Sequence, residues 1–544
     1  MATTSGTAGV GTTGALTGGG STTGGSTGSG STGSSSGGGS AGAVDGGIPA
    51  DFWGFHVGHT TSFPVQVPYG YYRFWDNEDA QWPGIEQCKA ASGDPSDPCF
   101  NWTTLDAILA DLKAAGIEEV MYTLSRTPAW AQPSPWPTDG GICDYAPEGT
   151  PGQCFPPSDL NADGSGTDQI WKNWVTALAT HANDPTYLQT HAHIRLWEPW
   201  NEFYRSTALA QGRYSGQIAW TGTYAQLVRL TEDARCQVKG VGVVHNSPSA
   251  GTVTPCGSDG GVDPSALISM PSGAVWAGTA GMTNVLLGVL QNYLYCTANP
   301  PAGSDCNTGD AGSEAADVIN YHLYAEDVPP EANAFTYLPE ALATLSPGDR
   351  AKPVISGEGS WGQILVSGTN NSIWAYDAYA RAGFIARYFA SYWSAGVSKI
   401  IWYGYDSSDP TESYGALFSP DAGALIQPEA TGWSTTYDWL QGAMPTSTPF
   451  CSNGGAGTVY TCDFLSRNGK ASRLVWDVSY GPPASGHTAA CAASGYPDPW
   501  VCGDGVYTQV AGFTTWSDLS GGPSNAIVGS PPAVTIGAGP ILLQ

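Results

Sequence analysis

The sequence is poor in positive charge: 19 Lys and Arg stand against 47 Asp and Glu in 544 residues, a formal charge of −28. A field of that sign repels phosphate backbones and anionic lipid, so nucleic acid and membrane surfaces are poor partners. A neutral ligand is not excluded. No run of 18 apolar residues occurs, so no helix is expected to insert into a bilayer. No C-x-x-C pair and no Cys/His set with zinc spacing appears, which argues against the cysteines as metal ligands. No self-similarity at a fixed period marks a repeat architecture. The first 45 residues are almost entirely Gly, Ser, Thr and Ala, with neither the basic start nor the apolar core of an export signal. The chain is therefore read as a mature form, with Met1 standing in for a removed signal. Residues 1–45 have too little apolar surface to offset the entropy of ordering and are expected to be a flexible, disordered tether.

What is present is more specific. The twelve cysteines fall into neighbours along the chain: Cys88 and Cys99, Cys143 and Cys154, Cys236 and Cys256, Cys296 and Cys306, Cys451 and Cys462, Cys491 and Cys502. Most enclose Gly-, Pro-, Asp- and Asn-rich stretches. A disulfide closing such a loop removes unfolded-state entropy, about 3 kcal/mol for a loop of ~15 residues. Local pairing of an even count implies an oxidising compartment, so the protein is expected to be secreted or tethered at a cell envelope. The 21 Trp and 26 Tyr exceed ordinary core needs, and these side chains stack on sugar rings while offering a polar edge.

From residue 46 to 445 short apolar runs alternate with longer amphipathic ones, the pattern of a βα repeat. Eight strands are expected: Trp53–Val57, Tyr71–Trp75, Glu119–Leu124, His193–Trp197, Val241–His245, Val318–His322, Pro353–Ser356 and Lys399–Tyr403. Helical spacing fills the intervals, as in Leu105 to Ala115, Trp171 to His181, Tyr224 to Ala234, Leu286 to Tyr295, Tyr376 to Ala395 and Trp433 to Leu440. The fold class is α/β, a (β/α)8 TIM barrel with long loop insertions. A doubly wound sheet would advertise a glycine-rich phosphate turn after its first strand, and Gly54 to Gly58 is not one. Residues 446–544 lose helical periodicity and read as a β-sandwich accessory domain with strands at Val459–Phe464, Ser472–Val478, Gly505–Gln509, Ala533–Ile536 and Pro540–Leu543.

Barrel enzymes carry their chemistry at the C-terminal ends of strands, where the βα loops form one mouth. After the fourth expected strand stands Trp197-Glu198-Pro199-Trp200-Asn201-Glu202; after the seventh stands Ser356-Gly357-Glu358-Gly359. A carboxylate next to an apolar run is costly unless it is paired or used. Cleaving a glycosidic bond needs two carboxyl groups flanking the anomeric carbon, about 5–5.5 Å apart when configuration is retained. Residues on facing strand ends meet that spacing.

These motifs resemble the clan A retaining glycoside hydrolases, which are TIM barrels with the acid/base after strand four and the nucleophile after strand seven. Phe52-Trp53-Gly54-Phe55-His56-Val57, Tyr72-Arg73-Phe74-Trp75-Asp76, Thr127-Pro128-Ala129-Trp130 and Pro540-Ile541-Leu542-Leu543 are most similar to glycoside hydrolase family 39 and its relatives. The resemblance runs from about residue 50 to the end. It implies Glu202 as acid/base, Glu358 as nucleophile and Asn201 on the substrate 2-hydroxyl. It implies Tyr324 as a hydrogen-bond partner of the nucleophile, His322 near the acid/base, Arg73 beside Glu358, and Trp402 as the platform under the sugar. His56 and Trp130 complete the expected sugar-lining set.

Several alternatives stand beside these roles. Arg73 has Asp76 or Glu78 as alternative partners, and Glu198 is a second candidate acid. His59 is placed with His56 at the mouth or in a loop, whereas His181, His191 and His193 lie at the opposite end. Trp75, Trp136 and Trp361 are further candidate platforms. Asn161-Ala162-Asp163-Gly164-Ser165-Gly166 lacks the twelfth-position Glu of an EF-hand and reads as a solvated turn. Neither metal nor cofactor is required by the expected chemistry. A sugar-binding barrel without catalysis, or a displayed envelope protein, would leave the two glutamates unexplained. The sugar, its linkage, exo against endo action and the oligomeric state are left open.

Overall fold

The computed structural model describes residues 47–133, 153–203, 220–243, 256, 261–274, 290–291, 293–295, 312–325, 328–362, 377–407, 415–447, 449–455, 457–481, 491 and 496–544. All of them belong to one compact unit. Its centre is a parallel barrel. In chain order its strands are β1 (Trp53–Phe55), β2 (Tyr71–Phe74), β3 (Glu119–Thr123), β4 (His193–Glu198), β5 (Leu267–Ile268), β6 (Gly273–Ala274), β7 (Ile319–His322), β8 (Val354–Gly359) and β9 (Val397–Trp402). β1 pairs with both β2 and β9, which closes one side. β5 lies against β4, β6 lies against β7, and a bridge from Ser269 to Val318 joins them. The stretch 267–274 is thus one strand position in two pieces, and the barrel has eight positions.

The fifth position corrects the sequence reading. The helix Tyr224–Lys239 ends at Gly240, whose φ of 69° is a left-handed cap, and Val241 follows it 48 % exposed with no strand assigned. His245 lies outside the described residues. The valine-rich run after a helix cap looked like a strand, whereas the Ser- and Pro-broken segment 267–274 did not. The other seven expected strands occur at their places.

Helices form the outer layer for legible reasons. Thr103–Ala114 (α1) buries Leu105, Ile108, Leu109 and Leu112 at three- and four-residue spacing, and Gly116 at φ 85° turns the chain into β3. Gln169–Ala182 (α2), Tyr224–Lys239 (α3), Leu338–Ala343 (α4), Ala378–Ser394 (α5) and Glu429–Leu440 (α6) continue the layer. The expected helix Leu286 to Tyr295 lies mostly outside the described residues.

A hairpin of β10 (Phe418–Ser419) and β11 (Ala424–Leu425) precedes the terminal β-domain. There β12 (Met444–Pro445), β13 (Cys451–Ser452), β14 (Val459–Leu465), β15 (Ala471–Asp477), β17 (Thr515–Ser517), β18 (Asn525–Ala526) and β20 (Ile541–Leu543) form one antiparallel sheet. β16 (Gly505–Tyr507) and β19 (Val534–Ile536) form a second. Val475, Val501, Tyr507, Val534, Ile536 and Ile541 are buried together between them. β17 and β18 were not foreseen. The domain packs on the barrel through a buried knot: Arg387 of α5 donates Nε and Nη2 to Glu331 at 2.6 and 2.8 Å, and Trp476 Nε1 donates to the same carboxylate at 2.7 Å.

Four of the six expected disulfides lie among the described residues: Cys88–Cys99, Cys236–Cys256, Cys451–Cys462 and Cys491–Cys502. Cys154 is also disulfide-bonded; Cys143, Cys296 and Cys306 lie outside the described residues. Among the described residues no helix is long and apolar enough to cross a membrane.

Candidate active site

The barrel interior is layered, and the layers follow from strand alternation. Tyr71, Met121, Leu196, Val318, Ile355 and Ile401 come from six strand positions and form one buried apolar cluster. Residues two further along each strand point the same way. They are Arg73, Thr123, Glu198, Asn320, Gly357 and Tyr403. The layer above the apolar one is therefore polar.

Its centre is Arg73 with Glu198, both fully enclosed. Arg73 Nε donates to Glu198 Oε2 at 2.8 Å and Nη2 closes the second contact. Thr123 Oγ1 adds a bond to Oε2 at 2.5 Å, and Asn320 Nδ2 adds one to Oε1 at 2.8 Å. Glu198 is thus saturated and sealed from a ligand, which removes it as the alternative acid. Arg73 forms its close ion pair with Glu198 and not with the alternative partners Asp76 or Glu78, although Asp76 still acts on it through space. Beyond Glu198 it donates Nη2 to Asn201 Oδ1 at 2.6 Å and holds Nη1 3.6 Å from Glu358 Oε2.

Above this layer the structure brings Glu202, His322 and Glu358 together. His322 Nδ1 lies 2.7 Å from Glu202 Oε1 and 3.0 Å from Glu358 Oε2. One ligating atom of each residue falls within 4.8 Å of the other two. His322 and Glu358 are register partners between β7 and β8, with a shift at Tyr321/His322. β8 is itself out of step with β9 between Ser356 and Gly359. In an unbroken strand Glu358, three residues after inward Ile355, would face the helices; the irregularity turns it to the mouth. The flanking glycines are required by close approach. A Cβ at Gly357 would stand 2.2 Å from Asn320 Oδ1, and one at Gly359 would stand 2.0 Å from the Tyr388 hydroxyl. Glu202 has φ 42°, unusual for a side-chain-bearing residue, and its backbone N–H is tied to Ser272 Oγ at 2.9 Å.

Burial sets the electrostatics. It raises the Glu202 carboxyl to about 7, against the pull of Arg73. Burial raises Glu358 well above the usual carboxylate range; Arg73 opposes, while Glu202, Asp76 and Glu198 push further up. Burial and then Arg73 hold His322 well below its ordinary value, so it is neutral. A proton on Nδ1 then serves both carboxylates, and Nε2 has no partner among the described residues. Two close carboxyls that cannot both ionise keep one proton between them near neutral pH. One imidazole and two carboxylates are also a donor set that a divalent metal accepts.

The rim holds His56, Asp76 and Tyr403. His56 is buried with Nε2 3.1 Å from the Gly357 carbonyl and 3.2 Å from Arg73 Nη1. Burial, then Arg73, lowers its pKa well below the ordinary value. Asp76 is raised by burial to about 6 and accepts the Tyr403 hydroxyl at 3.2 Å. His59 binds Asp406 at 2.8 Å in a loop knot.

The platform aromatic is corrected. Trp402 is fully buried, packed against Phe389 of α5 and Trp433 of α6, with Nε1 on the Gly415 carbonyl at 2.7 Å. It follows inward Ile401 by one residue and so faces outward. Tyr403, next in line and half-buried, faces the mouth 5.0 Å from the His56 ring. Strand parity was the signal that could have found it. Trp75 and Trp361 are buried rather than open as platforms; Trp136 lies outside the described residues. Trp130 is partly buried after β3, its Nε1 on the Glu86 carbonyl at 3.0 Å. Tyr324 is buried two residues past His322, its carbonyl accepting Asn333 Nδ2 at 2.9 Å. Glu358 Oε2 lies 3.0 Å from His322 Nδ1 and 3.6 Å from Arg73 Nη1.

No family model and no curated protein sequence matches the chain. Among solved structures it is similar to a family 39 glycoside hydrolase from the gut symbiont Bacteroides cellulosilyticus WH2, with TM-score 0.54 and 13 % identity over 91 % of this chain and 81 % of that one. A glucosidase from Croceicoccus marinus gives TM-score 0.49 and 13 % identity over 80 % and 77 %. A GH39 beta-xylosidase from Caulobacter crescentus gives 0.46 and 14 % over 92 % and 97 %. The first of these likenesses speaks for a shared fold.

Proposed function

We propose that the chain is a secreted retaining glycoside hydrolase, with Glu202 as general acid/base and Glu358 as nucleophile. The observation that carries this is one His322 nitrogen within 3.0 Å of two carboxylates from barrel positions four and seven. Their ligating oxygens lie within 4.8 Å, close to the ~5–5.5 Å of double displacement and too close for an intervening water. The four disulfides support an extracytoplasmic site of action.

Glu202, raised to about 7, holds a proton near neutrality and donates it to the glycosidic oxygen as the C–O bond breaks. Glu358, ionised in the same single-proton state, attacks the anomeric carbon and forms a glycosyl ester. Arg73 Nη1 and the His322 N–H favour its charge as it aims. Glu202, now a carboxylate, takes a proton from water, which attacks the same carbon and releases Glu358. Asn201, its amide oxygen fixed by Arg73, is oriented toward the sugar 2-hydroxyl, and Tyr403, His56 and Trp130 line the mouth.

The test is Glu358→Gly assayed on an activated glycoside with sodium azide. Rescue with a glycosyl azide of inverted configuration is expected. Unimpaired hydrolysis by the variant overturns the reading.

A further inference from the structure

We propose that Asp168 and Asp233, with the loop from Asp159 to Asp168, hold a calcium-type divalent cation that fastens this loop to α3. Asp168 occupies the N-cap of α2, where an aspartate normally accepts backbone N–H groups. Here its side chain makes no cap bond and its backbone sits at φ 47°. Asp159 caps instead, its Oδ2 accepting Gln169 N at 2.6 Å and Ile170 N at 3.2 Å. The Asp168 carboxylate is completely buried, and neither oxygen accepts an N–H or hydroxyl donor among the described residues; the group within hydrogen-bond reach of it is the Asp233 carboxyl.

What Asp168 faces is another acid. Asp233 of α3 is 7 % exposed and next to it, and Asp233 is the leading charged group acting on Asp168. The remaining oxygen of Asp159, Oδ1, is also buried without a partner. Against three carboxylates stands one cation, Arg229, whose Nε is already 2.8 Å from Asp233 Oδ2 and whose Nη1 binds the Gly164 carbonyl at 3.1 Å. Burying acids in this arrangement is unfavourable unless positive charge is supplied. A shared proton answers for one oxygen only. Calcium takes about 6–8 oxygen ligands from carboxylates, carbonyls and water in flexible geometry, which suits a set built wholly of oxygen.

Besides the Arg229 bond to Gly164, the loop is fastened to α3 and its cap by neutral bonds: Thr223 Oγ1 to the Ala162 carbonyl at 2.6 Å and Gln226 Nε2 to the Leu160 carbonyl at 2.8 Å. The segment leading into it touches the mouth, with Thr127 N on the Gln153 carbonyl at 3.2 Å and Ser158 N on the Ala131 carbonyl at 2.8 Å. The cation therefore also steadies the segment that carries Trp130. The turn 161–166 remains an ordinary turn, Asp163 Oδ1 accepting Ser165 N at 2.9 Å; Asp168 beyond it and Asp233 of α3 make the site.

The test uses the full chain stripped of metal, with thermal unfolding followed in chelator, in millimolar calcium chloride and in matched magnesium chloride, for wild type, Asp168→Asn and Asp233→Asn. Wild type is expected to gain several degrees in calcium, with one calcium bound per chain by elemental analysis, and both variants to lose that gain. A midpoint unchanged by calcium overturns the proposal in favour of a shared proton. So does a calcium shift that survives in both variants, which would place binding elsewhere on this acidic surface. If one variant does not fold, the other decides, a calcium gain that survives in it overturning the proposal.

Discussion

Arg73 with Glu198 and Arg387 with Glu331 are both buried arginine–glutamate pairs, with every side chain at most 1 % exposed. Each carboxylate also accepts neutral donors: Thr123 and Asn320 in the barrel, Trp476 at the junction with the β-domain. The difference lies in what adjoins them. The Arg387 pair ends in the β-domain sheet and joins two layers. The Arg73 pair ends in Asn201 and Glu358, and so projects charge into a cluster that is left short of partners. Burial alone does not separate a structural pair from a functional one. The second acid beside the pair, Glu358, does.

The largest expected effect of breaking this contrast is on rate. Glu358→Gln should lower kcat/KM by about 10⁴-fold or more without lowering the unfolding midpoint, as steady-state kinetics and calorimetry on one preparation will show. Arg387→Met should do the reverse. Leaving Glu331 buried and unpaired costs about 3–5 kcal/mol, read as a lower denaturant midpoint, while kcat of the folded fraction stays near wild type. A collapse of kcat in that variant would erase the distinction.

Smaller effects come from the protons. The native Glu202 carboxyl is raised from 4.5 to about 7, so between those values the folded state keeps a proton that the unfolded chain has released. Stability therefore falls as pH rises through that window. Glu202→Gln removes the penalty and should be more stable than wild type by about 1–3 kcal/mol at pH 8, with the gain fading toward pH 4. Urea titrations at the two pH values test this. The pH–rate profile of wild type should be a bell displaced upward from ordinary carboxylates. Both limbs belong to the coupled pair, the acidic one to gain of a second proton and the basic one to loss of the shared proton; a flat profile from mildly acidic to alkaline pH would contradict the single-proton state.

Much of this architecture was legible beforehand because it rests on local pattern. Seven strand positions, the capped helices and the locally paired cysteines each announce themselves within about a dozen residues. Position five was not, since 267–274 is held by pairing on both sides and not by its own apolar content. The glutamates at strand ends four and seven stood out as charges beside apolar runs. The engagement of Arg73 with Glu198 did not, because it depends on which residues of distant strands share a layer. Trp402 was misplaced for the same reason: one residue separates the helix-facing side of β9 from the mouth. Asp168 and Asp233 lie 65 positions apart and meet only once α2 and α3 pack.

The irregular step in β8 has a consequence for which mutations this chain tolerates. A strand has two faces, so straightening that step while the residue count stays the same would be a change of side and not a small displacement. It would send the carboxylate toward the helix layer while the barrel stayed closed. Step and count between Ile355 and Glu358 are therefore matched: a strand one residue shorter would have to lose the step as well for its glutamate to reach the mouth.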